Sequence, residues 1–152
     1  MRTPEQYAAV TAERATWRAA RQWIAAAARV EPAPSAGPAA RLSEDSVENP
    51  ASSDRVDFQV AGVRFGITVA RRQARRAVQR VMVKRVLREA ARHAAPSLRP
   101  LARDRGVDVV MRLRNPLPEA SRMGLAELKR SLRSEADSLI AQLARHLRAA
   151  DR

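Results

Sequence analysis

The chain contains no cysteine, which rules out a disulfide framework and any thiolate metal site. Histidine is scarce as well. His93 and His146 stand far apart and leave a zinc site almost nothing to build on. No apolar run approaches the ~20 residues that a membrane-spanning helix needs. The opening residues Met1-Arg2-Thr3-Pro4-Glu5 lack the apolar core of a secretory signal. Together these absences create the expectation of a cytoplasmic protein. Lysine is nearly missing too: only Lys84 and Lys129 occur among 29 basic residues, so the positive charge is carried by arginine.

What the chain does have is charge in an ordered placement. A net charge of +13 and a pI near 11.7 point to nucleic acid or another anionic surface as partner. Arginine abundance alone could reflect a GC-rich genome, so the pattern matters more than the total. Arg72, Arg76, Arg80, Lys84, Arg88 and Arg92 recur at four-residue spacing. Ala74, Val78, Met82, Val86, Ala90 and Ala94 form a parallel apolar register. On a helix the two registers run roughly 200° apart, which predicts a helix over 72–94 with one buried side and one cationic side. Segment 71–92 holds nine basic residues against the single acidic Glu89. Guanidinium forks suit phosphate oxygens. The small Val- and Ala-rich apolar side argues against a membrane-surface helix.

The remaining segments divide by period. Thr3-Pro4-Glu5-Gln6 starts a helix that runs to about Glu13, with Thr3 as N-cap and Pro4 at the first helical position. Ala15–Val30 reads as extended structure, although Ala25 to Ala28 favour helix locally. Residues 31–55 read as a disordered Pro/Ser-rich insertion. Val56, Phe58 and Val60 alternate, as do Val63, Phe65, Ile67 and Val69, giving two strands with a turn at Ala61-Gly62. Residues 96–106 read as a loop, and Val107–Leu113 as another strand. A last helix runs from Glu119 to Leu147, with Leu125, Leu128, Leu132, Leu139, Leu143 and Leu147 on its core face. Residues 148–152 read as a tail. The order helix–strands–helix–strand–helix predicts a compact α+β sandwich forming one domain over 1–152. No paired carboxylates, nucleophile–base pair or metal cluster suited to catalysis stands out in the sequence. Asp57 and Asp108 fall on strand patterns and read as surface or capping groups.

The central block also resembles a known family. Phe65-Gly66-Ile67-Thr68-Val69-Ala70-Arg71-Arg72, followed by Arg75-Arg76-Ala77 and by Arg80-x-x-x-Lys84-Arg85-x-x-Arg88-Glu89, is similar to the bacterial ribonuclease P protein component. Thr3 to Val10 resembles that family's first helix, and Val107–Leu113 with the final helix resembles its closing strand and helix. Val81 and Met82 stand where the family usually has Asn and Arg. Thr11 replaces a frequent aromatic residue one turn after Tyr7. The Pro-rich insertion is longer than the family's usual loop.

The resemblance implies a three-layer α/β sandwich with a left-handed βαβ crossover, against the usual handedness. It implies RNA-subunit contacts by Arg71, Arg72, Arg75, Arg76, Arg80, Lys84, Arg85 and Arg88. Contacts with the single-stranded 5′ leader of precursor tRNA would fall to Tyr7, Phe65 and Thr68. It further implies that a catalytic RNA removes the leader, with Mg²⁺ held mainly by that RNA and its substrate. With aromatics at 3% of the chain, leader binding would depend more on charge than on stacking. The residues leave two other readings open: a DNA-binding module, and an RNA-binding assembly or ribosome-associated protein of the same fold without tRNA processing.

Overall fold

A computed structural model of the chain describes residues 17–32, 53–119 and 121–152. The expected helix at Thr3–Glu13, and with it Tyr7, lies outside the described residues, as does most of the Pro-rich stretch. The described elements are β1 (Trp17–Ala20), β2 (Ile24–Pro32), β3 (Ser53–Val60), β4 (Val63–Ala70), α1 (Ala77–His93), α2 (Ala95–Leu98), a 3₁₀ turn (Arg99–Leu101), β5 (Arg105–Leu113) and α3 (Leu125–Ala150). The class is the expected mixture of helices and strands.

The strands form one sheet in the order β1-β2-β5-β4-β3. Every neighbouring pair is antiparallel except β4 and β5, which run parallel because α1 carries the chain back between them. The alanine run becomes strand despite its helical propensity. Ala25 to Ala28 pair with Arg112 to Val109 of β5, and β1 covers the other edge. Helix propensities differ by less than ~1 kcal/mol per residue, so hydrogen bonding along both edges outweighs them. The strands also claim the ends of the Pro-rich stretch. Glu31 pairs with Gly106, Pro32 with Arg105, and Ser53 with Ala70. Residues 31–32 and 53–55 are therefore part of the sheet, not of an insertion.

β3 and β4 meet at the expected turn. Ala61 has φ 52° and Gly62 φ 84°, the two left-handed residues that a tight hairpin turn matching strand twist demands. Glycine adopts this conformation without strain.

The core lies on one face of the sheet. Ile24, Ala26 and Ala28 of β2, Val63, Phe65, Ile67 and Val69 of β4, and Val107, Val109, Met111 and Leu113 of β5 are all buried there. α1 contributes Val83, Leu87, Ala90 and Ala91, and α3 contributes Leu128, Leu132, Leu139, Leu143 and Leu147. Burying a side chain of this size stabilises by roughly 1.5–3 kcal/mol, so these stripes dominate the fold.

Several element ends differ from expectation. Residues 121–123 are turn rather than helix, and the Glu119 carbonyl accepts from the Arg122 and Met123 backbone N–H groups. α3 therefore starts late, and Leu125, its first residue, is exposed rather than core. At the other end α3 continues to Ala150, and Arg105 forms an ion pair with Asp151, so 148–152 is not a loose tail. The loop expected over 96–106 is instead mostly α2 and the 3₁₀ turn, with Leu98 and Leu101 in the core. Pro96 starts a new helix rather than only ending the previous one, since its missing N–H is harmless in a first turn. Among the described residues no helix is long and apolar enough to cross a membrane.

Candidate nucleic-acid interface

The basic segment folds as two structures. Residues 71–76 form a turn, not the first turns of the helix. The Ala70 carbonyl accepts from the N–H groups of Gln73 and Ala74, at 3.0 and 3.1 Å, which closes the chain before α1 can begin. Ala74 is buried and anchors the turn in the core. Arg76 sits at the N-cap with extended backbone, and its N–H donates to Gln79 Oε1 at 3.3 Å. The expected helical start at residue 72 is thus five residues early.

Within α1 the four-residue register drifts. Each step of four residues turns ~40° past a full revolution, so the line of cations cannot keep to one face. Arg80 is only 9% exposed, Lys84 and Arg88 are half-buried, and Arg92 is exposed. The apolar register drifts in the same sense, from exposed Val78 to fully buried Ala90. The face turned to solvent is marked by Val81, Arg85, Glu89 and Arg92.

Arg80 does not serve the role expected of it. Its Nη1 donates to the carbonyls of Ala74 and Arg75, at 2.9 and 2.8 Å. The guanidinium group is committed to holding the preceding turn. Arg88 is placed differently again. Its Cζ lies 5.5 Å from the centroid of the Phe58 ring, and its Nε is buried without a hydrogen-bond partner. Arg71, Arg72, Arg75, Arg76 and Arg85 are exposed. Arg92, part of the stripe but outside the expected RNA-contact set, belongs with them on exposure.

Among the described residues, ion pairs join Arg29 to Glu31, Arg64 to Asp108, Arg105 to Asp151 and Arg133 to Asp137. None of these pairs engages Arg71, Arg72, Arg75, Arg76, Arg85, Arg88 or Arg92.

Of the residues expected to touch a leader, the two described ones, Phe65 and Thr68, lie on opposite faces of the sheet. Phe65 is fully buried on the helix-facing side of β4 and stacks on Phe58 with centroids 5.3 Å apart and planes 9° from parallel. Its ring offers no face to a base, so its assignment to leader contact is corrected to core packing. Thr68 is half-buried on the opposite sheet face, where it pairs in register with Arg112 of β5 and Arg55 of β3. Sequence reasoning missed a groove of about 380 Å³ on that face. It is lined by Arg18, Arg112 and Arg114 over the floor of Ala25, Ala27 and Val110. The signal was available, because Arg18 and Arg112 occupy the alternate positions of strands whose other side is apolar.

Asp108 is another correction. It is 7% exposed, not a surface group. Arg64 grips it, with Nη2 donating to Oδ2 at 2.9 Å and Nε 2.5 Å from Oδ1, though that second contact is off-line for a hydrogen bond. Burial pushes its carboxyl pKa up, and Arg64 only partly offsets this. No three His, Asp or Glu side chains come together among the described residues in a way that suits a metal ion.

A family model described as Ribonuclease P matches residues 1–139. No curated protein and no solved structure matches the chain.

Proposed function

The chain belongs to the ribonuclease P protein family, and from that premise we propose that it binds the catalytic RNA of ribonuclease P and the 5′ leader of precursor tRNA, supporting Mg²⁺-dependent removal of the leader by that RNA. The observation that carries the reading is the surface of Arg71, Arg72, Arg75, Arg76, Arg85 and Arg92, exposed and without carboxylate partners among the described residues. Such a surface displaces counterions from phosphates, so its affinity for RNA is strongly salt-dependent. Lys84 and Arg88 extend it along α1.

In this reading the protein supplies charge and positioning. The residues that contact RNA carry no nucleophile, and Mg²⁺ belongs to the RNA and the substrate. The leader lies on the sheet face that carries Thr68 and Arg112, with Tyr7 as a further contact. Few aromatic rings are available, so leader contact rests on the arginines of that face, Arg18 and Arg114 included.

The test is cleavage of precursor tRNA by ribonuclease P RNA at low Mg²⁺, with and without the protein. Rescue of cleavage is the expected result, and its absence removes the assignment. A mobility shift on structured RNA against duplex DNA separates the reading from DNA binding: preference for the duplex DNA would contradict it.

A further inference from the structure

We infer that the turn 71–76 and the strap 115–119 form a preorganised notch for the backbone phosphates of RNA, separate from the cationic face of α1, with Glu119 as its built-in competitor. The inference takes its ligand class from the RNA-binding reading above. It goes further in resolving Arg72, Arg75 and Arg76 of that surface into one discrete site, with its supports and its antagonist.

The notch is a concavity of about 570 Å³. Arg72, Gln73, Arg75 and Arg76 line it from the turn, and Leu117 and Glu119 line it from the strap. The turn is tethered on both sides. Arg80 holds it from within through the carbonyls of Ala74 and Arg75. Gln73 ties it to the strap and to the residue just before it: its Nε2 donates to the Arg114 carbonyl at 2.6 Å, and its own carbonyl accepts from the Leu117 N–H at 2.8 Å. Pro116 and Pro118 stiffen the strap at their positions by fixing φ. The arginine side chains therefore project from a backbone that is already ordered, which lowers the entropy cost of binding.

The lining defines the ligand. It contains no aromatic ring, so a base has no platform, whereas guanidinium forks match phosphate oxygens. The lining suits a phosphate backbone and offers a base no platform. Glu119 is the sole carboxylate of the lining. It lines the same concavity as Arg72, Arg75 and Arg76 without an ion pair to them among the described residues, so its charge opposes an incoming phosphate there.

The test uses the full-length chain and a short A-form RNA duplex, read as affinity against salt concentration. Arg75→Gln with Arg76→Gln should lower the slope of log affinity against log salt by about two. Glu119→Gln should bind about two- to five-fold tighter, the range of an exposed charge pair, and this gain should vanish in the Arg75→Gln/Arg76→Gln background. Gln73→Ala should weaken binding while leaving the helical content of the chain unchanged. Equal slopes for the wild type and the double variant would overturn the notch, as would a Glu119→Gln gain that persists without the arginines. Inorganic pyrophosphate that competes with the duplex only when Arg75 and Arg76 are present supports the site; indifference to both arginines counts against it. The function reading fails separately. Notch-dependent duplex binding without rescue of cleavage would sink the subunit role and leave the notch standing.

Discussion

Arg88 lies over the ring of Phe58, with Cζ 5.5 Å from the ring centroid, and Phe58 in turn stacks on the buried Phe65. A cation half-withdrawn from solvent is thus held against an aromatic pair, with no carboxylate partner among the described residues. The contact joins α1 to the edge strand β3. It explains how an arginine with a buried, unpartnered Nε is retained there. A double-mutant cycle of Phe58→Leu and Arg88→Lys should give a coupling of ~0.5–2 kcal/mol in urea unfolding. Coupling near zero would show that the two side chains are merely adjacent.

Arg80 and Arg85 separate structure from binding. Arg80→Ala leaves the carbonyls of Ala74 and Arg75 without their charged donor and should destabilise the fold by about 1–3 kcal/mol. Arg85→Ala should leave stability within about 0.5 kcal/mol and lower the RNA salt slope by about one. Chemical denaturation and salt titration of both variants check this. A stable Arg80→Ala protein would contradict the assigned tether.

Val81 and Met82 occupy the positions where the resemblance leads one to expect Asn and Arg, and the structure treats them differently. Val81 is 52% exposed and Met82 is 7% exposed within the core. Val81→Asn should therefore be nearly neutral. Met82→Arg should cost at least ~2 kcal/mol, through lost apolar burial and the placing of a charge at a core position, without tightening RNA binding. Thermal unfolding of the two variants decides it. A stable Met82→Arg protein with higher affinity would mean that this position faces RNA.

Asp108 gives the fold a pH dependence of definite sign. Its pKa is raised by burial, so between the ordinary and the raised value the folded state binds more protons than the unfolded state. Stability from this group is then greatest at and below the ordinary carboxylate pKa and falls as pH rises through the raised one. Asp108→Asn should remove this component, so the variant gains stability relative to wild type on going from mildly acidic to neutral pH. Urea unfolding across that range checks it. A parallel pH response in both proteins would show that Arg64 fully compensates the burial.

Much of this was legible in the sequence where a single period dominates. The alternation of Val63, Phe65, Ile67 and Val69 gave β4 and its buried face, and Ala61-Gly62 gave the turn. The leucines of α3 gave its core face except at Leu125, because helix ends depend on backbone geometry that hydrophobic spacing does not encode. The segment 71–76 was misread for a similar reason. Its arginines fit a helical register, but hydrogen bonds to the Ala70 carbonyl and the burial of Ala74 close a turn there instead. Arg80 looked like the centre of a cationic rail because spacing records a position, not the azimuth it drifts to over several turns. The groove of Arg18, Arg112 and Arg114 gathers residues from opposite ends of the sequence, and only the sheet order brings them together.

The central claim is that the exposed cations Arg85 and Arg92 of α1, with those of the preceding turn, dock this chain onto a catalytic RNA. Its most direct measurement is the rate of precursor tRNA cleavage by ribonuclease P RNA at low Mg²⁺, with the wild type and with a chain carrying Arg75→Gln, Arg76→Gln, Arg85→Gln and Arg92→Gln. The account predicts rescue by the wild type, and rescue by the variant only at much higher protein concentration, at unchanged stability. Equal rescue by both chains, or none by the wild type, would contradict it.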